Sequence, residues 1–167
     1  MEIGVLTREV LPVFSTLLLP EAAAQLEADE PPLALGLTED NLACGALAGR
    51  MEGDLFAVTS LFVAPDYRRR GGGTMLLRAL ADVLRADGGV FGVSIAFNCT
   101  LPEHETLCAF LAARGFAEQD DHGENIYLTT VGEALASPFF ASRSAGGAVR
   151  RFSELPDAAL RAAERDA

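Results

Sequence analysis

Residues 63–77 read VAPDYRRRGGGTMLL, with three arginines followed by three glycines at the centre. Upstream, Leu55 to Val63 is a run of apolar and β-branched residues that reads as a strand. Downstream, Met75, Leu76, Ala79, Leu80, Val83 and Leu84 recur at the helical period with Arg78, Asp82 and Arg85 between them, so Thr74 to Ala86 reads as an amphipathic helix. Gly88 and Gly89 end it. Arg68 to Gly73 therefore joins a strand to a helix start. Such a joint suits an anion, because glycines let the backbone approach closely and a helix N-terminus carries partial positive charge. The backbone N–H groups of Gly71, Gly72, Gly73 and Thr74, together with the Thr74 hydroxyl, are candidate donors. Arg68, Arg69 and Arg70 add forked donors matched to phosphate oxygens. The plainer alternative is a solvated turn.

Two other phosphate-binding loops are excluded. All 13 basic residues are arginines, so no lysine is present for a Walker-type loop. The glycines also lack the G-x-G-x-x-G spacing of a dinucleotide fold, and what precedes them is not a βαβ unit.

Outward from the joint, Leu33–Leu37 and Leu42–Ala48 flank the turn-forming TEDN and read as a hairpin. MEGD then turns into the strand at Leu55, which makes a three-strand meander. Ile3 to Leu6 is a short first strand, followed by a helical stretch from Arg8 to Leu26 that Pro12 and Pro20 interrupt, and then by EADEPP as a loop. Beyond the joint, Val90 to Phe97 is an apolar strand and Glu103 to Arg114 a helix ending at Gly115. FAEQD and NIYLTT close with a hairpin around DHGE. The order β-α-β-β-β-α-β-α-β-β describes an α/β class domain, a mixed, mostly antiparallel sheet flanked by helices. It occupies residues 1–130. Residues 131–167 form a C-terminal extension, rich in Ser, Ala and Gly from Ala136 to Ala148, followed by VRRFSELPDAALRAAERDA, which reads as a strand and then a helix entered at Pro156. This tail packs on its own domain or on a partner subunit as a homodimer contact, or it opens a second, incomplete repeat.

Composition bounds the function. A chain of 167 residues, half of them hydrophobic, is a single globular domain. No stretch approaches the ~18 apolar residues of a membrane span, and the opening VLPVFSTLLLP lacks the basic flank of a signal peptide. Cys44, Cys99 and Cys108 have no metal-ligand spacing, so reduced thiols, a cytoplasmic location and no metal are expected. A net charge of −11 repels nucleic acid and anionic membrane over most of the surface. One arginine–glycine patch without interleaved aromatic residues does not reverse that.

VAPDYRRRGGGTMLL resembles the acetyl-CoA-binding motif of the GNAT superfamily of N-acetyltransferases, Q/R-x-x-G-x-G/A. Arg68 stands at the first place, Gly71 and Gly73 at the glycine places, and VAPDY matches the V-x-P-x-Y lead-in. CAFLAARGF resembles the family's later helix ending in Gly-Phe, here Gly115 and Phe116. The resemblance covers roughly residues 1–130 and implies that acetyl-CoA is the cosubstrate. Pantetheine would lie along Leu61, Phe62 and Val63, and pyrophosphate on Arg69 to Thr74. It also implies direct attack by a free amine, from a small molecule or an amino terminus, on the thioester. The family's tyrosine acid falls at Leu111, its asparagine at His104, and its strand glutamate in FAVTS, which offers Thr59 and Ser60. A non-catalytic module that binds CoA or acyl-CoA is therefore the second reading.

Tyr127 and His104 are the candidate catalytic residues, Tyr127 as a replacement acid and His104 as a base. Beside these stand plainer readings: Tyr127 as core, and His104 and His122 as solvent-facing. Cys108 reads as a small buried apolar residue. Asn98 binds substrate or makes a turn, and Glu52 and Asp54 are turn residues.

Overall fold

In the first fifty residues, small side chains alternate along two strands while bulky ones precede them, and this decides how helices seat on the sheet. The computed structural model describes residues 1–26, 31–97, 103–121, 124–137 and 150–151. In chain order the elements are β1 (Glu2–Val5), α1 (Leu11–Phe14), α2 (Pro20–Leu26), β2 (Leu33–Glu39), β3 (Leu42–Glu52), β4 (Leu55–Val63), α3 (Gly72–Asp87), β5 (Gly92–Phe97), α4 (His104–Ala112), β6 (Ala117–Asp121), β7 (Glu124–Thr130), α5 (Val131–Ala136) and β8 (Arg150–Arg151). The chain divides into two compact units, one of residues 1–50, 59–80 and 145–167, the other of 51–58 and 81–144. No helix among the described residues is long and apolar enough to cross a membrane.

In the first unit, β1 pairs antiparallel with β2 from Glu2↔Thr38 to Val5↔Leu35. The β2–β3 hairpin turns at Asp40 and Asn41, both left-handed (φ 52° and 65°), as a tight two-residue turn that matches strand twist requires. Ala34, Ala46 and Ala48 are fully buried beneath Leu6, Val10, Leu11, Phe14, Leu18, Ala22 and Leu26. A Cβ on Gly36 would stand 2.6 Å from Phe14 Cε1 and 2.7 Å from Leu6 Cδ2, so the glycine admits the ring onto the strand. The helical stretch from Arg8 to Leu26, expected to be interrupted by Pro12 and Pro20, is two short helices with a 3-10 turn at Ser15–Leu17. Pro12 lies in the first turn of α1 and Pro20 opens α2, positions where a missing N–H costs nothing. Between Leu37 and Thr38 the register slips, leaving Cys44 as the extra residue of a bulge. Its thiol donates to Leu37 O at 3.5 Å, and burial, aided by Glu39, pushes the thiol up to about 11. The tail strand β8 lies parallel to β1, Gly4↔Arg150 and Val5↔Arg151.

In the second unit, residues Leu55–Val58 of β4 pair parallel with β5, β5 pairs antiparallel with β7, and β7 with β6. Phe56, Val58, Val93, Ile95, Leu111, Phe116 and Tyr127 are buried there. α4 ends in a Schellman motif: Phe116 N–H donates to Leu111 O at 3.2 Å, Gly115 N–H to Ala112 O at 3.1 Å, and Gly115 is left-handed at φ 85°. α5, which falls within the tail and was not expected from the sequence, is opened by Thr130 and Glu133 bonding each other's backbone in a capping box.

Candidate functional site

The joint that the sequence singled out lies in the first unit. At the end of β4, Ala64 N–H donates to Cys44 O at 2.9 Å, and Pro65–Tyr67 then make one 3-10 turn. Arg69 (φ 60°) and Gly71 (φ 92°) are both left-handed. α3 opens with Met75 N–H donating to Gly71 O at 3.0 Å, so the N–H groups of Gly71, Gly72 and Gly73 precede the first helical bond. Left-handed residues next to a helix start form a concavity lined by N–H groups, suited to an anion. Gly72 also lets the helix start pack closely. A Cβ there would stand 2.6 Å from Leu37 Cδ2, so the helix start rests directly on β2. Thr74 is 3% exposed, which turns its side chain into the packing.

The three arginines, alike in the sequence, do different things. Arg68 Nε donates to Val63 O at 2.9 Å while its guanidinium covers the Phe62 ring at 5.5 Å. Arg70 is paired with Glu39 at 2.9 Å and lies over Tyr67 at 5.4 Å. Both brace the loop. Arg69 is exposed, and among the described residues its side chain meets no acid or carbonyl. The left-handed conformation of a non-glycine residue there is strained, and such strain concentrates where a side chain has a task.

Along β4, pairing with β5 covers only Leu55–Val58, so β5 does not use the edge from Thr59 to Val63. Leu61 and Val63 are half-buried and Phe62 is exposed. Thr59 Oγ1 donates to Ala48 O at 3.3 Å, and Ser60 Oγ accepts from Leu19 N–H at 3.2 Å. The two hydroxyls standing where a glutamate was sought are therefore structural.

The second unit gathers the catalytic candidates. His104 begins α4, and Cys108 follows one turn later with Sγ 3.5 Å from His104 Nε2. Phe97 on β5 stacks on Tyr127 (5.4 Å, 10°) and tilts against His104 (5.6 Å, 57°). Tyr127 is 2% exposed. Cys108 and Glu118 lie near its hydroxyl, and the influence of Cys108, reinforced by burial, holds the phenol well above its usual range. Tyr127 is thus a core residue whose polar tip has partners, and His104, expected to face solvent, is half-buried. Cys108, expected to be a small buried apolar residue, is half-buried with the His104 imidazole beside it. The signal for it was the i, i+4 spacing from His104 on one helix face. Leu111, where the resemblance implies a tyrosine, is fully buried. Asn98, Cys99 and His122 lie outside the described residues.

A mixed, mostly antiparallel sheet whose fourth strand runs into a glycine-rich, arginine-flanked helix start defines an α/β protein with an anion-binding joint. Residues 6–116 match the Acetyltransferase (GNAT) family, and the chain belongs to that family. No curated protein matches it in sequence. Among solved structures it is similar to the PaiA N-acetyltransferase of Thermoplasma acidophilum in complex with coenzyme A, at TM-score 0.61 and 14% identity, covering 78% of this chain and 99% of that one. It is also similar to the ribosomal-protein-S18-alanine N-acetyltransferase of Escherichia coli (TM-score 0.57, 21% identity, 75% and 89% covered). A third is an aminoglycoside 6'-acetyltransferase type Ii (TM-score 0.63, 17% identity, 78% and 97% covered). At these identities the likeness establishes the fold.

Proposed function

We propose that the protein is an N-acetyltransferase that moves the acetyl group of acetyl-CoA to the amine of a small molecule or an amino terminus. The observation that carries this reading is the loop from Arg68 to Gly73, with left-handed Arg69 and Gly71 leading into a helix start. The pyrophosphate sits on the N–H groups of Gly71–Gly73, and Arg69 adds charge. Pantetheine pairs with the β4 edge at Leu61, Phe62 and Val63 as an added strand would. The amine nitrogen attacks the thioester carbon directly, the carbon–sulfur bond breaks, and the CoA thiolate takes up a proton. Positioning supplies most of the acceleration. A net charge of −11 favours a cationic acceptor, and an aminoglycoside enzyme is among the similar structures.

Calorimetric titration with acetyl-CoA and with free CoA, followed by turnover against a panel of amines, tests the proposal. Micromolar binding that an Arg69→Ala, Arg70→Ala double variant loses supports the cradle, and absence of binding refutes it. One specific observation favours a second reading, a CoA-binding module without catalysis. Leu111 is buried where the family acid would stand, and Thr59 and Ser60 are committed to backbone groups. Binding without turnover of any amine decides for that module.

A further inference from the structure

The two described cysteines sit in opposite environments. Cys44 is fully buried, its thiol bonded to a backbone carbonyl and pushed up to about 11. That is an inert structural thiol. Cys108 is half-buried, an imidazole nitrogen lies 3.5 Å from its sulfur, and Tyr127 on β7 is near enough for the thiol to hold its phenol up. A nucleophilic thiol needs access, a base for its proton and a donor to hold the thiolate. Cys108 has all three, and the Phe97 ring lies against both His104 and Tyr127.

The geometry points to a second activity: Cys108, with His104 as base and Tyr127 as thiolate donor, accepts an acyl group from a thioester and becomes S-acylated. The Sγ proton passes to His104 Nε2, and the thiolate attacks the thioester carbonyl carbon. As the new carbon–sulfur bond forms, the donor's bond breaks, and the departing thiolate takes the proton back from the imidazolium. One thioester is exchanged for another, with no oxidant or reductant. The natural donor, acyl-CoA, rests on the function proposed above; the thiol site itself does not.

The test incubates the full chain with acetyl-CoA and no amine, measures released CoA by chromatography, and maps acetylated peptides by mass spectrometry. Stoichiometric acetylation at Cys108 that neutral hydroxylamine removes, with Cys44 untouched, is expected. Cys108→Ser abolishes the labile adduct, and His104→Gln slows its formation by roughly a hundredfold, the usual scale for a general base. CoA affinity measured on each variant separates loss of the nucleophile from loss of the fold. Three results overturn the proposal: an unmodified Cys108 in protein that binds acetyl-CoA, acetylation of Cys44 at an equal rate, or no slowing in His104→Gln. If acetyl-CoA does not bind at all, para-nitrophenyl acetate is the probe. Acylation of Cys108 by that ester upholds the thiol site while the CoA reading falls, and no reaction sinks both.

Discussion

Replacing Arg69 in two ways separates its side chain from its backbone. Its left-handed φ of 60° places a Cβ where glycine would have none. For an L-residue this conformation costs about 1–2 kcal/mol relative to the right-handed one. Arg69→Ala keeps that cost and removes the guanidinium, while Arg69→Gly removes both. Glycine gives back about 0.4–1 kcal/mol through the greater freedom of the unfolded chain. The difference leaves the Gly variant more stable than the Ala variant by about 0.5–1 kcal/mol, or roughly 1–4 °C in Tm for a chain of this size. Affinity for CoA behaves otherwise. An exposed arginine–phosphate contact contributes about 1 kcal/mol, so both variants lose roughly fivefold in Kd, and equally. Differential scanning calorimetry and isothermal titration read the two quantities on the same samples. Equal Tm values for the two variants would show that the backbone is not strained. Wild-type affinity in both would show that Arg69 does not touch the cofactor.

The remaining expectations follow from close packing and from one helix cap. Gly92→Ala sets a Cβ 2.5 Å from the Thr129 carbonyl oxygen, a backbone atom in a paired strand, so denaturant unfolding should register a loss of about 2–4 kcal/mol; a change below about 0.5 kcal/mol refutes the contact. Leu111→Tyr restores the family residue but forces a larger, polar side chain into a fully buried position, so it should lower stability by about 2–4 kcal/mol and bring no rise in kcat with any amine. Glu133 is held below the usual carboxylate range by hydrogen bonds from the Thr130 side chain and backbone. A depressed folded pKa means that its stabilisation is present above the ordinary carboxylate range and fades as pH falls through the lowered value. NMR titration of Glu133 should show the depression shrink in Thr130→Ala, which removes the hydroxyl and keeps the backbone N–H, and an unchanged titration would discount the hydroxyl's part in the cap.

Much of the architecture was legible in the sequence because strong local signals agreed with tertiary need. β4 coincides with the run at Leu55–Val63, and the turn at Asp40–Asn41 falls within the TEDN cluster. The face of α3 was read slightly rotated. Leu76, Leu77, Leu80, Ala81 and Leu84 are buried, whereas Met75 and Val83, assigned to the buried stripe, are half-buried. Periodicity fixes the spacing of a stripe but not which of two adjoining apolar arcs is covered. α5 escaped notice although Thr130-x-x-Glu133 is a capping-box pattern, because Gly132 and a short length obscured the period. The partition of the arginines was not legible at all. It depends on Glu39, thirty-one residues from Arg70 in the chain, and on a carbonyl at Val63 that only the folded turn presents.

The departures from the family pattern on α4 are one departure rather than two. Residues 104, 108 and 111 stand at i, i+4 and i+7, on one face of the helix. At the last of them, where the resemblance places a phenol, a leucine is sealed in the core, while a thiol and an imidazole in contact occupy the two earlier turns. The tyrosine of this unit stands on β7 instead, near that thiol. The face therefore keeps an ionisable group with partners that can give or take a proton, moved one turn toward the helix start and built on sulfur. A chain that had merely lost catalytic function would need only an apolar face here. A half-buried thiol in contact with an imidazole, with a phenol near it, is more than packing requires, and this is why the acylation of Cys108 bears on whether the protein is an enzyme.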